Sequence, residues 1–202
     1  MPLPINICKS CGKPKDLGFE KPYCMYCAKQ TPDLSPVVSN FIYEPEVRQS
    51  ILRFKFGDKP YYAKTYAHII YERLKAYGLE NSFDAIVPAP ISLKRLIKRG
   101  YNQTYLLAKA LSKHCSVPVV KALKKIRHTA PQSTLSRKER LKNIKGSVAP
   151  DKKAKVFDRA LFLDDVYTTG ATAWECTKQL KKMGFKKVVI GTIAMNTQEE
   201  LY

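Results

Sequence analysis

The chain has 202 residues, 45% of them hydrophobic, which is enough for one ordinary domain core plus a small appendage and excludes a disordered chain. Thirty-six Lys and Arg against seventeen Asp and Glu leave a formal charge of +19, so polyanions are the expected partners: nucleic acid first, an anionic membrane surface second, phosphorylated small molecules third. No apolar run reaches the roughly 18 residues of a membrane span, and Met1 to Asn6 lack the basic start and apolar core of a signal peptide, so a cytoplasmic protein is expected.

In chain order, the first signal is two C-x2-C pairs, Cys8/Cys11 and Cys24/Cys27, twelve residues apart and each followed by a small residue, Gly12 or Ala28. Four thiolates suit tetrahedral Zn²⁺ and leave no position for water, so the predicted role is structural; two disulfides are the alternative. The Pro-rich and polar run Gln30 to Pro36 marks a linker. The predicted units are a zinc ribbon over 1–35 and an α/β domain over 36–202.

Val37 to Tyr43 reads as a strand, and Val47, Ile51, Leu52 and Phe54 have helical spacing that stops at Phe56-Gly57-Asp58. Tyr62 to Tyr77 reads as a longer amphipathic helix. Phe83 to Pro90 reads as a short buried strand ended by two prolines, with a tight loop after it. Lys94, Arg95, Lys98 and Arg99 then place four cations in six residues, directly before Tyr101, Asn102 and Gln103, and Leu106, Leu107, Ala110 and Leu111 continue as a buried helix face. Lys121 to Lys145 carries nine Lys and Arg and one acid, Glu139; a solvated basic helix with a flexible lead-in is the plain reading of it.

Ala160 to Leu163 is too short for a helix and reads as a central parallel strand. It runs into Asp164-Asp165 and the small-residue loop Thr168-Thr169-Gly170-Ala171-Thr172, which opens a helix toward Gly184; Val188 to Ala194 forms a last strand. Adjacent carboxylates repel each other and call for a cation, sugar hydroxyls or a protonated partner. Free N–H groups at the helix start would face a phosphate, beyond the carboxyl ends of the strands where α/β sheets bind ligands. An ordinary strand-to-helix turn capped by Asp and Thr is the alternative.

The apolar run, Asp164-Asp165 and Thr168 to Thr172 together resemble the phosphoribosyl pyrophosphate (PRPP) motif of type I phosphoribosyltransferases. The resemblance implies PRPP binding through Asp164, Asp165, Thr168, Thr169, Gly170, Ala171 and Thr172, the carboxylates on the ribose hydroxyls, the loop on the 5′-phosphate, and Mg²⁺ bound alongside through PRPP oxygens. It also implies Asp164 and Asp165 as the Mg²⁺ site in the presence of PRPP, and pyrophosphate contact by the loop Val87, Pro88, Ala89, Pro90 and Ile91, with Arg127, Gln132 and Arg140 as candidates on a mobile basic loop. Phe54 to Asp58, Val87 to Pro90, Arg95, Arg99 to Gln103 and the Cys ribbon narrow this: nearly the whole chain resembles the ComF/ComFC family of competence proteins. Ala89, Ile91 and Tyr101 stand where family members commonly carry valine, leucine and phenylalanine.

That family is associated with internalising single-stranded DNA in natural transformation. The implied function is therefore a PRPP-binding protein that assists DNA uptake, with single-stranded DNA on Lys94, Arg95, Lys98, Arg99 and Tyr101, and competence DNA-translocation proteins at the inner membrane as partners. An active phosphoribosyltransferase on an unidentified acceptor, and a nucleic-acid-binding scaffold with a vestigial nucleotide site, are the other readings.

Overall fold

A computed structural model describes residues 6–9, 11–15, 21–23, 35–57, 59–127, 129 and 137–197, with the backbone alone described at 137, 138, 140 and 141. Four parallel strands form the central sheet: β1 (Val37–Ile42), β2 (Ala85–Pro88), β5 (Arg159–Tyr167) and β6 (Lys187–Met195), in the order β1-β6-β5-β2. A two-stranded antiparallel hairpin, β3 (Leu123–Lys125) with β4 (Val148–Pro150), lies apart from it. Six helices complete the described chain: α1 (Pro45–Phe56), α2 (Tyr62–Ala76), α3 (Leu93–Arg99), α4 (Gln103–Cys115), α5 (Arg137–Ile144) and α6 (Ala171–Met183). The expected α/β domain with a parallel sheet flanked by helices is the fold adopted.

Side-chain alternation along β5 builds both faces of the sheet. Leu161 and Leu163 pack with Val189, Ile193 and Ile86 against Ile51 and Phe54 of α1, Ile70 and Leu74 of α2, and Leu107 and Leu111 of α4. Ala160 and Phe162 pack with Val188, Ile190 and Val87 against Ala173, Cys176 and Leu180 of α6 and against the hairpin through Leu123 and Val148. Both faces are covered, which is why these strands read as near-continuous apolar runs.

Three elements differ from the sequence expectation. β5 does not stop before the acid pair: Val166 and Tyr167 stay in register with Ala194 and Met195, so both aspartates lie within the strand. The four-cation run is itself a helix, α3, in which no residue is fully buried. The basic segment contains a strand, β3, as well as a helix, because Leu123 supplies an apolar side chain to the core under α6 and β3 pairs with β4 just beyond the segment.

Near the N-terminus, Gly12 has φ +71°, and its N–H donates to the Cys8 carbonyl at 2.9 Å, giving a turn that brings Cys8 and Cys11 together. A Cβ on Gly12 would collide with the Val37 carbonyl, so this turn sits directly against the start of β1. Cys24 and Cys27 lie outside the described residues.

Candidate functional site

Asp164 and Asp165 point to opposite sides of the sheet, as successive strand residues must. Asp165 lies on the side of α1 and α4. The Lys55 ammonium stands 2.9 Å from its Oδ1, and the Gln103 amide Nε2 donates to its Oδ2 at 2.8 Å. Burial opposes ionisation of Asp165, but the charge of Lys55, the Gln103 and Lys55 hydrogen bonds and the charge of Arg99 outweigh it and hold the carboxyl below its ordinary range.

Asp164 lies on the side of α6, in one row across the sheet with Thr192 of β6 and Ser39 of β1. It is half-buried, and its Oδ1 accepts the Asp165 N–H at 2.8 Å. Burial, then the neighbouring charge of Asp165, pushes its carboxyl up to about 7. A cleft opens here, lined by Asp164, Val166, Tyr167, Thr168, Gly170, Thr172, Ala173 and Thr192. The Thr192 and Ser39 hydroxyls are buried without a hydrogen-bond partner.

The loop after β5 turns at Gly170, whose φ of +75° favours glycine; a Cβ there would also sit 2.5 Å from the Tyr167 hydroxyl and displace that ring. Gly170 caps α6, and the Thr169 hydroxyl accepts the Ala171 N–H at 3.3 Å. Thr168, Gly170 and Thr172 thus line the cleft beside Asp164, at the N-terminus of α6.

The Val87–Ile91 loop is brought beside the acid pair by the pairing of Pro88 with Leu163. Ala89 donates its N–H to the Leu163 carbonyl at 2.8 Å, and its own carbonyl accepts the Thr104 hydroxyl at 2.8 Å and the Asn102 amide at 3.2 Å. Pro88 and Pro90 have no N–H, so a pyrophosphate contact through backbone donors falls to Ile91.

The proposed DNA residues divide. Lys94 and Lys98 are exposed. Arg95 donates to the Thr129 carbonyl at 2.9 Å; Arg99 donates to Gln103 Oε1 at 2.9 Å and stacks 4.5 Å over the Phe56 ring. Tyr101 is half-buried against the core and its hydroxyl donates to the Phe54 carbonyl, while Phe56 and Tyr61 are the exposed rings nearby in the chain. Of the mobile-loop candidates, Arg127 donates to the Asn143 and Lys145 carbonyls at 2.9 and 3.0 Å, where a cation stabilises the end of α5. Gln132 and the Arg140 side chain lie outside the described residues.

Sequence reading missed Lys55, Gln103 and Thr192 as individual members of the site. Lys55 and Gln103 stood inside motifs that carried the family resemblance, but their common partner was not visible. Lys125 was missed as well: it donates to the Ser147 hydroxyl at 2.9 Å, and burial lowers its ammonium to about 8, with the Asp164 charge acting in the opposite direction.

No protein-family model matches the chain. Competence protein F of Haemophilus influenzae is 32% identical over 193 residues, covering 93% of this chain and 83% of that protein. The chain belongs to the ComF family of competence proteins. Its similarity to other ComF relatives extends to the DNA utilization protein YhgH of Escherichia coli K12, 27% identical over 92% of this chain and 82% of that one. Competence protein ComFC of Streptococcus pneumoniae is 33% identical over 73% of this chain and 63% of that protein. Among solved structures, an orotate phosphoribosyltransferase from Aeropyrum pernix overlaps this ComF chain with a TM-score of 0.41 and 16% identity, over 71% of this chain and 66% of that one. A purine phosphoribosyltransferase from Pyrococcus horikoshii overlaps it with a TM-score of 0.34 and 19% identity, over 79% and 77%.

Proposed function

We propose that this ComF protein binds PRPP with Mg²⁺ in the cleft at the carboxyl end of β5 and, through its basic surface, handles single-stranded DNA during natural transformation on the cytoplasmic side of the membrane. The observation that carries the PRPP reading is the Asp164 carboxylate beside a glycine-turned Thr loop at the N-terminus of α6, in one cleft. Asp164 would meet the ribose hydroxyls, Thr168 to Thr172 the 5′-phosphate, and the Val87–Ile91 loop the pyrophosphate, with Asp165 completing the acid pair.

Among the described residues no three His, Cys, Asp or Glu side chains converge, so a divalent ion here would draw mainly on PRPP oxygens and water, the donor set that Mg²⁺ favours. The ion would supply charge neutralisation between carboxylates and pyrophosphate. Cys8, Cys11, Cys24 and Cys27 would hold one structural zinc, and the Gly12 turn supports the first half of that site. Among the described residues no helix is long and apolar enough to cross a membrane.

Calorimetric titration of PRPP with Mg²⁺ tests the reading: Asp164→Asn should abolish or strongly weaken binding, and unchanged affinity would place the site elsewhere. An active phosphoribosyltransferase is the second reading, favoured by the access Asp164 has to the cleft. Release of pyrophosphate on adding an acceptor would assign it.

A further inference from the structure

Two sequence motifs far apart in the chain, Phe54 to Asp58 and Arg95 to Gln103, converge on Asp165. Lys55 from the end of α1 holds one carboxylate oxygen at 2.9 Å, and Gln103 from the first turn of α4 holds the other at 2.8 Å. The Gln103 side chain and the backbone beside Lys55 are themselves held. Arg99 donates to Gln103 Oε1 at 2.9 Å, so the Gln103 amide presents its N–H to Asp165 and cannot turn without losing both bonds. Tyr101 donates to the carbonyl of Phe54, the residue before Lys55, and Phe54 is fully buried. Asn102 caps α4, its side chain accepting the Thr104 N–H at 3.0 Å, which fixes the turn that carries Gln103.

We propose that Lys55 and Gln103 are positioning residues that lock Asp165 away from the ligand, so that the acid pair works as one open carboxylate, Asp164, and one neutralised anchor. This rests on the PRPP reading of the cleft and divides the labour within it. An unpaired Asp165 charge one residue from Asp164 would repel both Asp164 and any phosphorylated ligand; the Lys55 ammonium removes that field at its source. With both oxygens of Asp165 engaged, the side chain also fixes the backbone of β5 where the Asp165 N–H orients the Asp164 carboxylate. At metal sites, breaking the outer partner of a ligating group typically costs roughly 10- to 100-fold in affinity, and a loss of that order is expected here.

The experiment compares Lys55→Met, Lys55→Arg, Asp165→Asn and the double variant Lys55→Met/Asp165→Asn with wild type, each first shown to be folded by its thermal melt. PRPP affinity with Mg²⁺ should fall roughly 10- to 100-fold in Lys55→Met, stay within a few-fold in Lys55→Arg, and recover in the double variant, because the charge that needed Lys55 is gone. A double variant weaker than Lys55→Met, or Asp165→Asn as impaired as Asp164→Asn, would mean that Asp165 grips the ligand and would overturn the proposal. A second readout needs no PRPP: labelling with a water-soluble carbodiimide and glycinamide, mapped by mass spectrometry, should modify Asp164 in wild type and reach Asp165 only after Lys55→Met. Equal labelling of both aspartates in wild type would overturn the proposal on its own. Absence of PRPP binding in wild type would reject the PRPP reading, and the labelling would still decide the fate of Asp165.

Discussion

At the carboxyl end of the sheet, the face under α6 and the face under α1 and α4 receive adjacent residues of one strand and treat them in opposite ways. Under α1 and α4 the Asp165 carboxylate is 11% exposed in its side chain and has a cation and an amide on its two oxygens. Under α6 the Asp164 carboxylate borders a cleft, in a row with two buried hydroxyls that have no partner. Buried polar groups are normally satisfied, and each exception is destabilising by roughly 1–3 kcal/mol. At this end of the sheet the Asp165 side is therefore satisfied, whereas the Asp164 side keeps unsatisfied groups where a ligand is proposed to sit. Such a division is expected where binding is maintained at the expense of folding free energy.

The largest effect should come from removing what the two faces share. Phe162 is fully buried in the middle of β5, and Phe162→Ala should lower unfolding stability by about 3–5 kcal/mol, measured by urea denaturation. A destabilisation below about 1 kcal/mol would mean that β5 is not the central strand.

Next, Asp164→Asn should separate function from stability. The folded-state pKa of Asp164 lies above its unfolded value, so ionisation disfavours the folded protein: the penalty is absent below the unfolded pKa, small at pH 4 and fully developed above about pH 7. In metal-free buffer at pH 8 the variant should melt higher than wild type, by about 2–4 °C for each kcal/mol gained, and most of the difference should be gone at pH 4. A lower melting temperature at pH 8 would show that Asp164 is neutralised as completely as Asp165.

Thr192→Val tests the open face more gently. The swap removes a buried hydroxyl without a partner at little change in shape, and stability should rise by up to about 1 kcal/mol. PRPP affinity should fall at the same time if the hydroxyl is kept for the ligand. The smallest effect concerns the exposed cations beyond each face. Lys94→Ala/Lys98→Ala on α3 should reduce the salt slope of single-stranded DNA binding by about 0.7 for each lost phosphate contact, whereas Lys178→Ala/Lys182→Ala on α6 should leave it less changed. Equal loss from both pairs would assign the effect to net charge alone.

The elements that position the open face were legible because their signals are local. An apolar tetrad, a small-residue loop with glycine at its turn, and a helix ended by Gly184 each follow from neighbouring residues. The closed face was not legible, since Lys55, Gln103 and Asp165 are separated by 48 and 62 positions and nothing local states that they meet. The acid pair looked like a strand end because β5 changes character at Asp164. It continues only because β6 offers Ala194 and Met195 as ladder partners for Val166 and Tyr167. α3 was hidden for a different reason: Leu93, Leu96 and Ile97 have helical spacing, but over only two turns and among four cations that dominated the reading of the run. Arg127 was named a pyrophosphate candidate from the family resemblance, and its bonds to the Asn143 and Lys145 carbonyls at the end of α5 were not legible, since only the folded chain brings those groups within reach.

The strand order β1-β6-β5-β2 also governs how the molecule is made. β1, the first of the described strands in the central sheet, has β6, the last of them, as its only sheet partner among the described residues, with Val37 opposite Ile190. Until β6 emerges, β1 has no ladder and β5 lacks one of its two neighbours, so the nascent chain carries unpaired strand edges through most of its synthesis. Loop closure over such a span is slow and aggregation-prone compared with local pairing. The sheet, and with it the row Ser39, Thr192 and Asp164, therefore forms only after β6 is released, so a chain truncated before β6 should have neither the fold nor the site.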